Sequence, residues 1–252
     1  MPVTIASLMV PVLLGTMASS GSAGADKGPP QVRRVGPAPI GTIWVGGLRP
    51  ETPLCQIGEV TTGSDVVNYI DPPGDVYYTL LRASACPACV APDTLVIKSA
   101  HLVLHFPVQC VVQVEISIVG TRGGPTCWVP DTENVVCPPR IVNLEPSIGG
   151  RFDLAALMSS NCNITQDAFL CINFLSFSTE CAEFNLRPLL VLSTQCAVCE
   201  SYNDVRGMFR DDLCALGFPG RPTMYVDGEL CTVPTLARTW GFLKVQIGRA
   251  HV

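Results

Sequence analysis

"CVVQVEISIV", residues 110–119, sets Val112, Val114, Ile116 and Ile118 on one side of an extended chain and Gln113, Glu115 and Ser117 on the other. That two-residue period is the signature of a strand with one buried face; a helix would bring its apolar residues back every three or four positions. The same reading extends outward. "DTLVIKSAHLVLHF" (93–106) reads as one long strand, or two with a bend near Ser99, and "AFLCINFLSF" (168–177) as another. "NLRPLLVLST" (185–194) reads as a strand in which Pro188 marks an edge or a start. "TMYVDGELC" (223–231) reads as a hairpin closed by Asp227-Gly228. The turn signals "DPPGD", "TRGGP", "CPPR" and "GFPGRP" fall between such runs, and only "YNDVRGMFRDDLCAL" (202–216) suggests a helix, capped by Asn203 or Asp204. The fold class is all-β: an antiparallel β-sandwich or jelly roll with disulfide staples and at most one short helix.

The chain has 252 residues, 48% hydrophobic and 15% charged, enough apolar material to bury a core. With 16 Lys and Arg, no basic run and a net charge of −5, nothing stands ready to neutralise a phosphate backbone, so nucleic acid is excluded as an expected partner.

The two ends carry processing signals. Residues 1–25 read as a secretory signal peptide, an apolar run from Val3 to Leu14 followed by the small residues Ala23-Gly24-Ala25. The run is too short to span a bilayer, and charges or prolines interrupt every later one, so no membrane span is expected in the mature chain. Residues 26–50, dense in Pro and Gly, read as a linker or extended arm, and 51–245 as the sandwich. "QIGRAHV" (246–252) matches the translation of the start of a common sequencing adapter and is expected to be an artefact, which gives His251 no role and leaves the natural continuation past Val245 open.

Thirteen cysteines in an exported chain make disulfides the first expectation. Cys86-Pro87-Ala88-Cys89 resembles a redox motif, but that chemistry needs a helix N-terminus to stabilise the first thiolate, and a β-rich run comes after it instead. Cys86, Cys89, Cys196 and Cys199 could together hold zinc, although an oxidising compartment works against four free thiolates and neither knuckle is followed by Gly. As staples, spacing suggests Cys127 with Cys137, Cys214 with Cys231, Cys86 with Cys89 and Cys196 with Cys199, while sequence alone leaves connectivity open. An odd total implies at least one free thiol or a missing partner, and Cys171, inside an apolar strand, reads as a small buried hydrophobe.

His101 and His105 share one strand face, yet no Glu follows His101 in a metalloprotease arrangement, so core or surface histidines are expected and no metal site. No nucleophile elbow or phosphate-cradling loop appears, and the catalytic residues are unknown. Asp71, Asp75, Asp211, Asp212, Asp227 and Glu229 sit beside turn residues and read as turn formers, among which a glycosidase pair could meet only in space. The ligand-binding candidates are the aromatics Trp44, Tyr78, Trp128 and Tyr202, with Tyr77 and Tyr225 also considered; alternation turns one ring of Tyr77 and Tyr78 inward and the other outward.

In "YYTLLRASACPACVAP", "CAVCESYND" and "TWGFLKV" the chain resembles a group of secreted, cysteine-rich β-sandwich proteins of environmental bacteria to which no activity is assigned. The resemblance implies an extracytoplasmic location, secreted or on the cell surface, and supplies no catalytic residues. The expected function is an exported structural, adhesive or ligand-binding module that uses no cofactor, with an extracellular glycan or a cell-surface protein as partner. A secreted hydrolase acting on polysaccharide and a zinc protein are the alternatives.

Overall fold

The alternation at 112–118 becomes the first half of a 13-residue strand whose Val112, Val114, Ile116 and Ile118 are buried between two sheets. The computed structural model describes residues 30–35, 41–45, 53, 55–86, 94–124, 126–146, 148–205 and 209–232. In chain order its strands are β1 (Val32–Arg34), β2 (Gly41–Val45), β3 (Cys55–Gly58), β4 (Asp65–Val67), β5 (Asp75–Leu81), β6 (Thr94–Phe106), β7 (Val112–Gly124) and β8 (Cys127–Leu144). They continue as β9 (Gly150–Leu157), β10 (Asn163–Ile164), β11 (Ala168–Phe177), β12 (Leu189–Val191), β13 (Ser201–Val205), β14 (Phe209–Asp212) and β15 (Met224–Thr232). The two helical segments among the described residues are single 3-10 turns, Ala83–Ala85 and Thr179–Cys181.

Six strands form an antiparallel sheet in the order β14-β13-β5-β11-β7-β8. The other nine assemble around β6, which pairs β9, β10, β12 and β15; β4 and then β1 follow β12, β3 follows β15, and β2 joins β9 in a parallel pair. The core between the sheets is filled by Leu102, Leu104, Phe106, Leu154 and Val226 from one side and Tyr77, Leu81, Val114, Ile118, Ile172 and Phe174 from the other. The all-β expectation holds.

Several local expectations do not. Among the described residues of 202–216 there is no helix; β13 and β14 pair antiparallel, with Tyr202 opposite Asp212 and Asn203 opposite Asp211, and pairing of Tyr202 with Tyr78 on β5 outweighs local capping propensity. Asp227-Gly228 closes no hairpin. It sits in the middle of β15, where the register against β6 shifts, so Gly228 marks a bulge. The long-strand reading of 93–106 is correct for 94–106, and the same bulge lies opposite the expected bend near Ser99. The stretch 26–50, expected as linker or arm, contributes β1 and β2 to the large sheet. The expected signal peptide and adapter-derived tail lie outside the described residues.

Among the described residues five disulfides clamp this body: Cys55–Cys86, Cys110–Cys181, Cys127–Cys199, Cys137–Cys162 and Cys196–Cys214. None of the spacing-based pairs forms. A disulfide forms where two Cα atoms come within about 7 Å, and here that is decided by which segments the sheets bring together, at sequence separations of 18 to 72, and not by the shortest spacing. Thus Cys86 bonds Cys55 and not Cys89, Cys196 and Cys199 bond separate partners, and Cys137 on β8 bonds Cys162 next to β10, joining the two sheets. Cys214 bonds Cys196 and not Cys231, while Cys89 and the Cys231 side chain lie outside the described residues. Cys171 is free and buried, as its apolar strand suggests.

Candidate functional site

On β6, the residues Ala100, Leu102 and Leu104 face the core, which sends Ser99, His101, Val103 and His105 to the opposite face of the large sheet. Register then dictates a row of side chains across five strands. Trp44 (β2) lies opposite Ala155 (β9), Ala155 opposite His101 (β6), His101 opposite Tyr225 (β15), and Tyr225 opposite Gly58 (β3). The small residues leave room for the rings. Across Ala155 the indole of Trp44 meets the imidazole edge-on at 5.6 Å, and Tyr225 stacks on it at 4.3 Å with 11° between planes. Gly58 has φ +112°, and a Cβ there would stand 2.8 Å from the Met224 carbonyl oxygen and 2.9 Å from Tyr225 Cα, so the backbone requires glycine at this end of the row.

The neighbouring row, Ser99–Asp227–Gln56, and Asp153 on β9 supply the charges. His101 Nδ1 lies 3.1 Å from both Asp153 carboxylate oxygens and Nε2 lies 2.9 Å from Asp227 Oδ2. Ser99 Oγ donates to Asp227 Oδ2 at 3.0 Å, Gln56 Nε2 to Asp227 Oδ1 at 2.9 Å, and the Tyr225 hydroxyl to Asp153 Oδ2 at 2.9 Å. His101, Ser99, Asp153 and Asp227 are all buried. Burial by itself would lower the His101 pKa, but the hydrogen bonds and charges of Asp153 and Asp227 outweigh it and raise the pKa to about 9. For Asp227 burial pulls upward, and the His101 contact with the Gln56 and Ser99 hydrogen bonds brings the net shift below the usual carboxylate range. The cluster is an imidazolium clamped by two carboxylates.

Ser99 Oγ, His101 and Asp153 superficially resemble a nucleophile, base and orienting acid, with Ser99 Oγ 3.2 Å from Nε2. A general base needs a free lone pair on Nε2. Here both ring nitrogens carry protons committed to carboxylates, and Ser99 gives its own proton to Asp227, so the arrangement holds charge in place and does not activate an alcohol. The reading of Asp227 as a turn former is corrected by this contact: it is a buried counter-ion. Asp75, also expected beside a turn, is buried and accepts from the Tyr77 hydroxyl and Asn203.

A second cluster covers the outer face of the smaller sheet and gathers three of the four aromatic candidates. Tyr78 and Tyr202 lie opposite each other on β5 and β13, and Trp128, at the start of β8, accepts the Tyr202 hydroxyl hydrogen bond on its carbonyl at 2.8 Å. Tyr78 and Tyr202 are 3% and 5% exposed, leaving no ring face for a ligand to stack on. The alternation of Tyr77 and Tyr78 is as expected, but the outward ring is covered too, with Arg210 5.2 Å from its centroid. Burial pushes the thiol of Cys171, in the same cluster, up to about 11. Trp44 and Tyr225, over the ion cluster, stay half-exposed, as does Trp128.

The zinc alternative through Cys86, Cys89, Cys196 and Cys199 is overturned, because Cys86, Cys196 and Cys199 each spend their sulfur in a disulfide with a different partner. Among the described residues no group of three His, Cys, Asp or Glu is placed to hold a metal. What sequence reasoning missed is the His101–Asp153–Asp227 cluster. Its signal was a lone acidic residue inside each of two short runs, "RFDLAAL" (151–157) and "MYVDG" (224–228), since a charge on a buried strand needs a partner.

Fold and cluster together define a two-sheet, disulfide-clamped β protein with a buried His101–Asp153–Asp227 ion cluster. The chain belongs to a family recorded as a domain of unknown function, DUF7451, whose model matches residues 45–228. No curated protein and no solved structure matches it.

Proposed function

We propose that this protein is an extracytoplasmic structural, adhesive or ligand-binding module, and that its ligand-contacting surface is the face of the large sheet carrying Trp44 and Tyr225. The five disulfides among the described residues support an oxidising location, since such bonds do not persist in a reducing cytoplasm. No helix among the described residues is long and apolar enough to cross a membrane. The observation that carries the binding reading is that Trp44 and Tyr225 keep half-exposed rings while a buried ion cluster fixes their angles, with the exposed Gln56 beside them. Rigid aromatic faces next to a polar amide suit the apolar face and hydroxyls of a sugar ring. The hydrolase alternative is weakened by the locked state of Ser99 and His101.

Incubation of the chain with insoluble and soluble polysaccharides tests both. Binding that falls at least about tenfold in Trp44→Ala, with no new reducing ends, supports the module. Release of reducing ends by wild-type protein would establish the hydrolase instead, and binding unaffected by Trp44→Ala would remove this face from the proposal.

A further inference from the structure

Two rows further along the same sheet face, β6 and β9 bring a second pair of basic side chains together, His105 directly opposite Arg151. Directly opposed residues on one face have Cβ atoms about 5 Å apart. Arg151 is 5% exposed, and its one described hydrogen bond runs from Nη1 to the carbonyl oxygen of Gly63 at 3.0 Å. Its Nε and Nη2 are buried, and no described group accepts from them. His105 Nδ1 is likewise buried without a partner.

Other arginines of the fold show the contrast. Arg210 and Arg221 each leave one nitrogen unpaired, but both meet carboxylates: Arg210 pairs Asp204, and Arg221 pairs Glu59 and Glu200. Arg151 meets only a neutral carbonyl. Its two idle nitrogens are also a particular pair, because Nε–H and Nη2–H project in parallel from one edge of the guanidinium and form the fork that engages two oxygens of one carboxylate, phosphate or sulfate. Burial alone depresses the Arg151 pKa, and burial followed by the Arg151 charge depresses that of His105. A neutral His105 can carry its single proton on Nδ1, as a third donor. Unpaired buried donors of this strength destabilise a fold, and such groups in native folds commonly hold an ion or water.

We propose that Arg151 and His105 bind one small oxyanion, its two oxygens on the Nε and Nη2 fork and His105 Nδ1–H donating to it. The donors are closed to solvent, so the ligand is a free ion taken up with the fold and held with slow exchange, not a group carried on a polymer. Halide is a poor substitute, having no second oxygen for the fork. The site is independent of the Trp44 and Tyr225 surface.

The test uses the full chain, dialysed against chloride buffer and denatured in acid, with ion chromatography of the released anions. Inorganic phosphate, sulfate and acetate are then titrated against thermal unfolding at constant ionic strength, in wild-type protein, Arg151→Lys and His105→Gln. The expected result is release of close to one equivalent of oxyanion, or saturable stabilisation by one of the three ions, with affinity reduced at least about tenfold in Arg151→Lys, which keeps charge and loses the fork. If Arg151→Lys does not fold, the same reduction is read from His105→Gln. Neither release nor saturable stabilisation in wild-type protein, or affinity unchanged in the folded variant, overturns the proposal.

Discussion

Raising the pH should unlock the ion cluster before it disturbs the rest of the fold. His101 has a folded pKa of about 9 against about 6.5 in the unfolded chain. A basic group whose pKa is raised on folding stabilises fully below its unfolded value and loses that contribution as pH climbs through the folded one, so the window runs from about 6.5 to 9. A difference of about 2.5 units corresponds to about 3 kcal/mol at 1.36 kcal/mol per unit. His101 is 3% exposed, so solvent screening removes little of it. The assay is urea unfolding with disulfides intact at pH 6 and pH 9.5, in wild-type protein and His101→Gln. Cys171, whose folded thiol titrates at about 11, also loses stability in this range because the unfolded thiol ionises earlier, but that loss is common to both proteins and cancels in their difference. Wild-type protein should therefore lose about 3 kcal/mol more than His101→Gln over the interval, although the variant starts lower for want of a cation between Asp153 and Asp227. Equal losses in the two proteins, or an NMR titration placing His101 near 6.5, would refute the clamped imidazolium.

Gly58→Ala should cost roughly 2 kcal/mol or more, because its φ of +112° is strained for alanine and the new Cβ presses on Tyr225 Cα; thermal unfolding reads the cost, and a fall in the His101 pKa reports the displaced ring. Replacing Cys196 and Cys214 together by Ser opens a loop of sequence separation 18 and should cost about 3 kcal/mol in the chain-entropy model, whereas losing Cys127–Cys199, separation 72, should cost about 4 kcal/mol. Graded reduction with alkylation and peptide mapping should label Cys127, Cys199, Cys196 and Cys214 before Cys137 and Cys162, since Cys127 is exposed and the latter two sulfur-bearing residues are fully buried. Cys171 should resist iodoacetamide in native protein and react once the chain is unfolded without reductant; labelling in the native state would contradict its burial.

The strands were legible wherever one face was buried against the other sheet. Val112 to Ile118 and the run 168–177 alternate or stay apolar because each residue's neighbours two positions away share its face, a constraint that lives in the local sequence. Legibility failed where the deciding contact was distant. Nothing within 202–216 reveals that Tyr202 will pair with Tyr78, 124 positions earlier, and local capping signals at Asn203 and Asp204 therefore pointed to a helix. The Asp-Gly at 227–228 is chemically suited to a tight turn, but Asp227 is held by His101, Ser99 and Gln56 from two other strands, and Gly228 accommodates the bulge that results.

Cysteine pairing failed for the same reason and shows it most sharply. Closing a short loop is the cheapest link for an unfolded chain, which is why spacing favoured Cys127 with Cys137. In the folded chain the pairs are set by which strands have already come together: β8 carries Cys127 to the approach of β13 and Cys137 to the approach of β10, so one strand is tied both within its own sheet and to the other. The two sheets and their staples thus have one cause, long-range strand order. The ion cluster rests on it as well, because only the alignment of β2, β9, β6, β15 and β3 places Trp44, His101 and Tyr225 in one row with Asp153 and Asp227 at its flank.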